Sequence, residues 1–226
     1  MDGNKLCDSI KKISGDEVIL IFSRGKDSIA SYYQLKKYFS NIHLVYKFRV
    51  PELKFVDESL DYFENKFGQK IIRIPHPAFY KQFNGLLFQD PNSAKFIQYI
   101  GLPTRTTNEL DKWLSTDIGC PQAFTALGVR QNDSLMRGMV IRKHGAVNLN
   151  KKTFYPIYDW TNEQIRDCIN ENNIQLPIDY EIWGKSMDGL DYRFIKPLKE
   201  KMPDEYERIK KYFPLIDLEI LRYEQI

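Results

Sequence analysis

Five apolar residues, Val18-Ile19-Leu20-Ile21-Phe22, run directly into Ser23-Arg24-Gly25-Lys26-Asp27-Ser28, and a helical pattern follows at once. The apolar run contains three β-branched residues and reads as a short buried strand. A strand, a small glycine-containing loop and a helix start together make an anion site. The loop N–H groups and the positive end of the helix dipole aim at one spot, and Lys26 adds a full positive charge there. Asp27 or Ser28 is expected to cap the helix. Ile29, Tyr32, Leu35 and Phe39 give that helix one apolar face, with Lys36 and Lys37 on the other.

Strands and helices alternate as far as residue 77, and the chain shows no internal sequence repeat. His43–Phe48 reads as a second strand and Phe55–Phe67 as a helix, its apolar positions Val56, Leu60, Phe63 and Phe67 ending at Gly68. Lys70–Ile74 is a third strand, closed by Pro75-His76-Pro77. The order β-α-β-α-β favours a parallel sheet with both faces covered. Residues 1–16 suggest a short leading helix. Residues 78–118, interrupted by Pro91, Gly101 and Pro103, read as an irregular helical insertion over the carboxyl ends of the strands. Ala123–Val129 is a fourth strand with Arg130 at its carboxyl end, and Asp133 or Ser134 then caps a short helix. Phe154–Ile157 is a short strand or extended segment. Thr161 and Gln164 form a capping box opening a helix through Asn172, and the tail suggests two helices, one near Pro203 and one after Pro214. The expected fold class is α/β, a Rossmann-like three-layer sandwich with a mainly parallel sheet. The expected division is a nucleotide-binding domain over 1–180 and a helical C-terminal extension of the same domain over 181–226.

With 226 residues, 42% hydrophobic, the chain can bury a sizeable core. A net charge of +3, from 33 basic and 30 acidic residues, does not by itself point to nucleic acid. Cys7, Cys120 and Cys168 are far apart in sequence and are expected to be reduced thiols in a cytoplasmic protein. Met1-Asp2-Gly3-Asn4-Lys5 has no apolar run behind it, so neither a secretory leader nor a membrane span is expected.

The loop is not a Walker A motif, since Leu20 and Asp27 stand where that pattern needs Gly and Ser or Thr. Nor is there a G-x-G-x-x-G. Ser23-Arg24-Gly25-Lys26-Asp27-Ser28 resembles the PP-loop, S-G-G-K-D-S, of the ATP pyrophosphatase superfamily, with Arg24 in place of the first Gly. Leu127-Gly128-Val129-Arg130-Gln131-Asn132-Asp133-Ser134, followed by Arg137, is similar to the G-x-R-x-x-E-S-x-x-R segment of the phosphoadenosine phosphosulfate (PAPS) reductase and ATP sulfurylase branch, Asp133 replacing the usual Glu. Tyr155-Pro156-Ile157-Tyr158-Asp159-Trp160-Thr161 resembles the P-I-x-D-W-T segment of that branch. The three segments occur in the family's order.

The resemblance implies binding of ATP or a related adenine nucleotide with Mg²⁺. It also implies cleavage between the α- and β-phosphates, AMP going to an acceptor as pyrophosphate leaves. Ser23, Arg24, Gly25, Lys26, Asp27, Ser28, Arg130, Asp133 and Arg137 are the expected nucleotide-binding residues. Lys26, Asp27, Arg130 and Arg137 are the expected catalytic set. Asp27 is the candidate Mg²⁺ ligand or a helix cap, or both. Arg24 departs from the pattern at a position that normally lets the backbone close on phosphate. The E-C-G-[LI]-H segment of the reductases is missing, and no cysteine follows Cys168. That argues against sulfonucleotide reduction unless a displaced cysteine such as Cys120 is the nucleophile. His43, His76 and His144 have no metal-ligand spacing with one another or with the cysteines. The acceptor is not written in the sequence. A different class of reading is a nucleotide-sensing regulator without turnover, working with a protein or nucleic-acid partner in DNA sulfur modification or transcription.

Overall fold

The computed structural model describes residues 2–224; Met1, within the expected leading segment 1–16, and Gln225 and Ile226, within the expected extension 181–226, lie outside the described residues. The elements in chain order are α1 (Gly3–Ser14), β1 (Glu17–Ile21), α2 (Lys26–Leu35), β2 (Asn41–Phe48), α3 (Lys54–Phe67), β3 (Ile71–Pro75), α4 (Pro77–Asn84), α5 (Pro91–Ile100), α6 (Thr107–Asp117), β4 (Phe124–Leu127), α7 (Leu135–His144), β5 (Val147–Asn148), β6 (Thr153–Phe154), α8 (Asn162–Glu171), α9 (Asp179–Trp183), α10 (Tyr192–Lys201), α11 (Pro203–Tyr212) and α12 (Asp217–Glu224). The class is α/β, as expected: a six-stranded sheet in the order β3-β2-β1-β4-β6-β5, flanked by helices. β1 pairs in parallel with β2 on one side and with β4 on the other. β4 and β6 are also parallel, and the two-residue β5, not foreseen from sequence, closes the edge antiparallel to β6.

This order reverses direction at β1. The chain leaves β1 for β2 on one side and later returns to β4 on the other, so the carboxyl ends of β1 and β4 flank a topological switch point, where ligands of open α/β sheets bind. Val18, Ile19 and Leu20 are fully buried, which explains why β1 reads as a continuous apolar run. The backbone pairing continues one residue past the strand, Phe22 N–H donating to the Val45 carbonyl at 2.8 Å, and so delivers the loop from a fixed rail.

The chain divides into two compact units. The first holds the residues through Tyr46, Lys70–Ile72 and Thr107–Leu176. The second holds Lys47–Gln69, Arg73–Thr106 and the chain from Pro177 onward. This revises the expected division in two ways. The stretch 78–118 is not one insertion, because α4 and α5 belong to the second unit while α6 belongs to the first. The tail is grouped with α3, α4 and α5 rather than extending the first unit. Among its described residues it also holds four helices rather than two. Of the two helices not foreseen, α9 and α10, the second carries Pro197 in its interior, which hid it from a propensity reading. The second unit has its own core, in which Phe79 and Phe83 meet Phe213, and Trp183 meets Phe55 and Phe194.

Candidate functional site

Helix α2 begins at Lys26, ahead of the expected start at Asp27 or Ser28, and its N-cap is Gly25. Neither Asp27 nor Ser28 is the cap. Gly25 has no side chain to offer the first-turn N–H groups, so this helix start keeps its donors for an anion. Ser28 closes the loop on itself, its buried hydroxyl donating to the Gly25 carbonyl at 2.8 Å and accepting from the exposed Ser23 hydroxyl at 3.3 Å.

Arg24 takes φ +63°, the left-handed conformation that the family's glycine would adopt without strain. Its side chain is 1% exposed, and its guanidinium carbon lies 5.6 Å from the centre of the Tyr46 ring. Arg24 is thus packed into the protein against an aromatic face.

β4 reaches the same place through Gly128. A Cβ there would stand 2.9 Å from both the Asp27 carbonyl carbon and the Ser28 nitrogen, so only glycine lets the end of β4 lie against the first turn of α2. Beyond it, Arg130 is 4% exposed and spends its guanidinium on three partners. Its Nε is 2.8 Å from Asp27 Oδ1 and its Nη2 3.2 Å from Asp133 Oδ1. Its Nη1 donates to Asn162 Oδ1 at 2.9 Å. Asp133 also accepts from the Arg130 backbone N–H at 2.9 Å and pairs with Arg137 at 2.9 Å. The charges therefore alternate, Asp27–Arg130–Asp133–Arg137, and the chain runs from a buried guanidinium to one that is 55% exposed. The Arg130–Asp27 contact is close but badly aligned, leaving Arg130 Nε and Asp27 Oδ1 both buried without a hydrogen bond.

Burial pushes the Asp27 carboxyl above its ordinary range, the neighbouring Asp133 adding to the rise while Arg130 and Lys26 oppose it. Asp27 already faces the Arg130 guanidinium at 2.8 Å, a contact that competes with any direct Mg²⁺ ligation by the same oxygen. Mg²⁺ keeps much of its water and is commonly bound through substrate phosphates.

One contributor was missed from sequence. Asn162, the first residue of α8, fixes Arg130. The Pro156–Thr161 segment is a buttress: Tyr158 accepts from the Gln131 N–H at 2.9 Å, and Asp159 accepts from the Gly3 N–H at 3.0 Å, anchoring α1. A side chain at Gly3 would stand 2.6 Å from the Pro156 carbonyl, so α1 docks here at glycine distance. The motif's residues were visible, but their partners 156 and 32 positions away were not.

Cys120 does not join this site. It meets Glu17, the first residue of β1, whereas the loop leaves the other end of that strand. It also meets His43, so a cysteine and a histidine with no metal-ligand spacing in sequence are brought together by the fold. Among the described residues, no helix is long and apolar enough to cross a membrane.

The chain is similar in structure to an NH3-dependent NAD synthetase from Campylobacter jejuni subsp. jejuni NCTC 11168, solved with a nitrate ion, at 12% identity and a TM-score of 0.47, over 97% of this chain and 92% of that one. It is also similar to a predicted subunit of a tRNA methyltransferase from Methanocaldococcus jannaschii, at 19% identity and a TM-score of 0.36, over 84% and 91% of the two chains. No family model matches the chain, and no curated protein matches it. What the site does therefore has to follow from its own residues.

Proposed function

We propose that the chain binds an adenine nucleotide at Ser23–Ser28, in the manner of the PP-loop ATP pyrophosphatase superfamily, and cleaves it between the α- and β-phosphates. AMP passes to an acceptor and pyrophosphate leaves. The observation that carries this reading is the convergence at one switch point of a glycine-started helix with no side-chain cap and the Asp27–Arg130–Asp133–Arg137 charge chain. Phosphate oxygens would take the first-turn N–H groups of α2, the Lys26 ammonium and the exposed edge of Arg137. Arg130 acts behind them as a positioning residue. Its contact with Asp27 is a 2.8 Å ion pair of poor hydrogen-bond alignment, which leaves the Arg130 Nε donor able to turn toward an arriving anion. Charge developing on the leaving pyrophosphate is stabilised by donors already in place.

Assignment to the PAPS reductase-like branch rests on the Gly128–Arg137 and Pro156–Thr161 segments, which support each other through Asn162, Tyr158 and Gln131. Reductase chemistry with Cys120 is not part of the proposal. The five-residue strand β1 separates that thiol from the loop, a span of about 16 Å at the rise of an extended strand.

The burial of Arg24 and the engagement of Arg130 by protein carboxylates favour one second reading, a nucleotide sensor that binds without turnover. Incubation with ATP labelled at the α-phosphate, across a panel of acceptors, separates the two. Release of pyrophosphate with label appearing in AMP or an adenylated acceptor supports the enzyme. Stoichiometric binding with no pyrophosphate supports the sensor, and absence of binding overturns both.

A further inference from the structure

At the amino end of β1, away from the nucleotide loop, three side chains from three separate parts of the first unit converge. His43 Nε2 lies 2.6 Å from Glu17 Oε2. Cys120 Sγ lies 3.5 Å from that same oxygen and 3.5 Å from that same nitrogen. One sulfur, one imidazole nitrogen and one carboxylate oxygen thus form a closed triangle. Parallel pairing of β1 with β2 places Glu17 opposite Asn41 and Ile19 opposite His43. Backbone bonds hold Cys120 in place, its N–H donating to the Ser115 carbonyl at 2.8 Å and its carbonyl accepting from the Ala123 N–H at 2.9 Å.

We infer that Glu17, His43 and Cys120 form a binding site for a divalent cation of the Zn²⁺ class, with three protein ligands and one open coordination position. The triangle has the right size. Around tetrahedral zinc, with Zn–S of about 2.3 Å and Zn–N or Zn–O of about 2.0–2.1 Å, a sulfur and a nitrogen or oxygen ligand stand about 3.5 Å apart. Both sulfur edges already have that length. The third edge is shorter, because a hydrogen bond holds the imidazole and carboxylate together at 2.6 Å. A cation replacing that proton would open the edge to about 3.3 Å, a small rotation of an exposed-edge side chain. The donor set, thiolate, imidazole and carboxylate, suits zinc. With the thiol and the carboxyl ionised and the imidazole neutral, it balances the charge of a divalent ion. The second carboxylate oxygen is already fixed, accepting from Asn41 Nδ2 at 2.6 Å, the kind of outer contact that orients a ligating group. His43 and Glu17 have side chains 27% and 35% exposed, so an ion can enter from solvent.

The obvious rival is a cysteine nucleophile with a histidine base and an orienting glutamate. Its geometry is different. In such a relay the thiol and the carboxylate occupy opposite nitrogens of the ring. Here both lie on Nε2, which is the arrangement of co-ligands and not of a relay.

The test uses the full chain, stripped with a chelator and titrated with Co²⁺ and then Zn²⁺. The expected result is a near-ultraviolet thiolate-to-cobalt band that saturates at one equivalent and is displaced by Zn²⁺. The band is expected to disappear in Cys120→Ser, to need at least tenfold more Co²⁺ in His43→Gln, and to persist in Cys7→Ser and Cys168→Ser. A parallel measurement needs no variant: one equivalent of Zn²⁺ should slow alkylation of Cys120 at least tenfold, read by peptide mass mapping. Absence of the band at stoichiometric Co²⁺, its survival in Cys120→Ser, or an unchanged alkylation rate overturns the assignment. Because the site stands apart from Ser23–Ser28, failure of nucleotide binding would leave this result untouched.

Discussion

Arg24 holds a backbone conformation that disfavours any residue with a Cβ, and does so with its side chain buried against Tyr46. The left-handed backbone costs an L-residue roughly 1–2 kcal/mol, so the packing of the long side chain has to exceed that amount. Arg24→Ala keeps the strain and loses the packing; it should lower unfolding stability by about 2 kcal/mol in a denaturant melt, whereas Ser23→Ala should change it by less than about 0.5 kcal/mol. Arg130 supports its neighbours in the same sense. Arg130→Ala leaves the Asp27 and Asp133 carboxylates facing each other, and a loss of about 3 kcal/mol is expected by the same measurement. Gly128→Ala tests the close approach of β4 to α2. Its methyl meets backbone at 2.9 Å, so the helix start must shift. A loss of about 1–3 kcal/mol is expected, together with weaker nucleotide binding by isothermal titration. The sequence showed that these residues matter as a motif. It did not show that two of its arginines work as buried supports, because that depends on partners supplied by other strands and helices.

Among the elements, the strand–loop–helix unit was the most legible, since apolar run, glycine and helical period all agreed. Its cap was misread by position: Asp27 and Ser28 are good cap residues, yet the helix starts on Lys26 and frees Asp27 to face Arg130. α4 shows a cap that proline punctuation alone did not reveal. His76 is its N-cap, Nδ1 accepting from the Ala78 N–H at 3.0 Å. Burial, with Arg49 and Lys47 adding to it, pulls the His76 pKa from 6.5 down to about 4. The unfolded chain therefore takes up a proton that the folded chain refuses, and stability is complete above about pH 6.5 and declines as pH falls toward 4. Denaturant midpoints measured across that window should fall for the wild type. They should fall less for His76→Asn, which keeps a capping acceptor and cannot titrate. Equal slopes for the two proteins would contradict the assignment.

For the whole molecule, the α/β class and the parallel order were readable because strand, helix and turn signals alternated in a regular way. The division into units was not readable. Pairing of 47–69 and 73–106 with the tail is a long-range property, and Pro91, Gly101 and Pro197 blur the local periods there. The Glu17–His43–Cys120 cluster was invisible for the same reason, its members being 26 and 77 positions apart. What sequence and fold share is the switch point between β1 and β4, where our proposal puts the nucleotide phosphates. The direct measurement is ATP affinity by equilibrium dialysis for the wild type and Lys26→Ala, with circular dichroism to confirm that both fold. Loss of a charge-assisted phosphate contact of about 1.5–3 kcal/mol predicts binding weakened roughly 10- to 100-fold in the variant. Equal affinity of the two folded proteins would contradict the account.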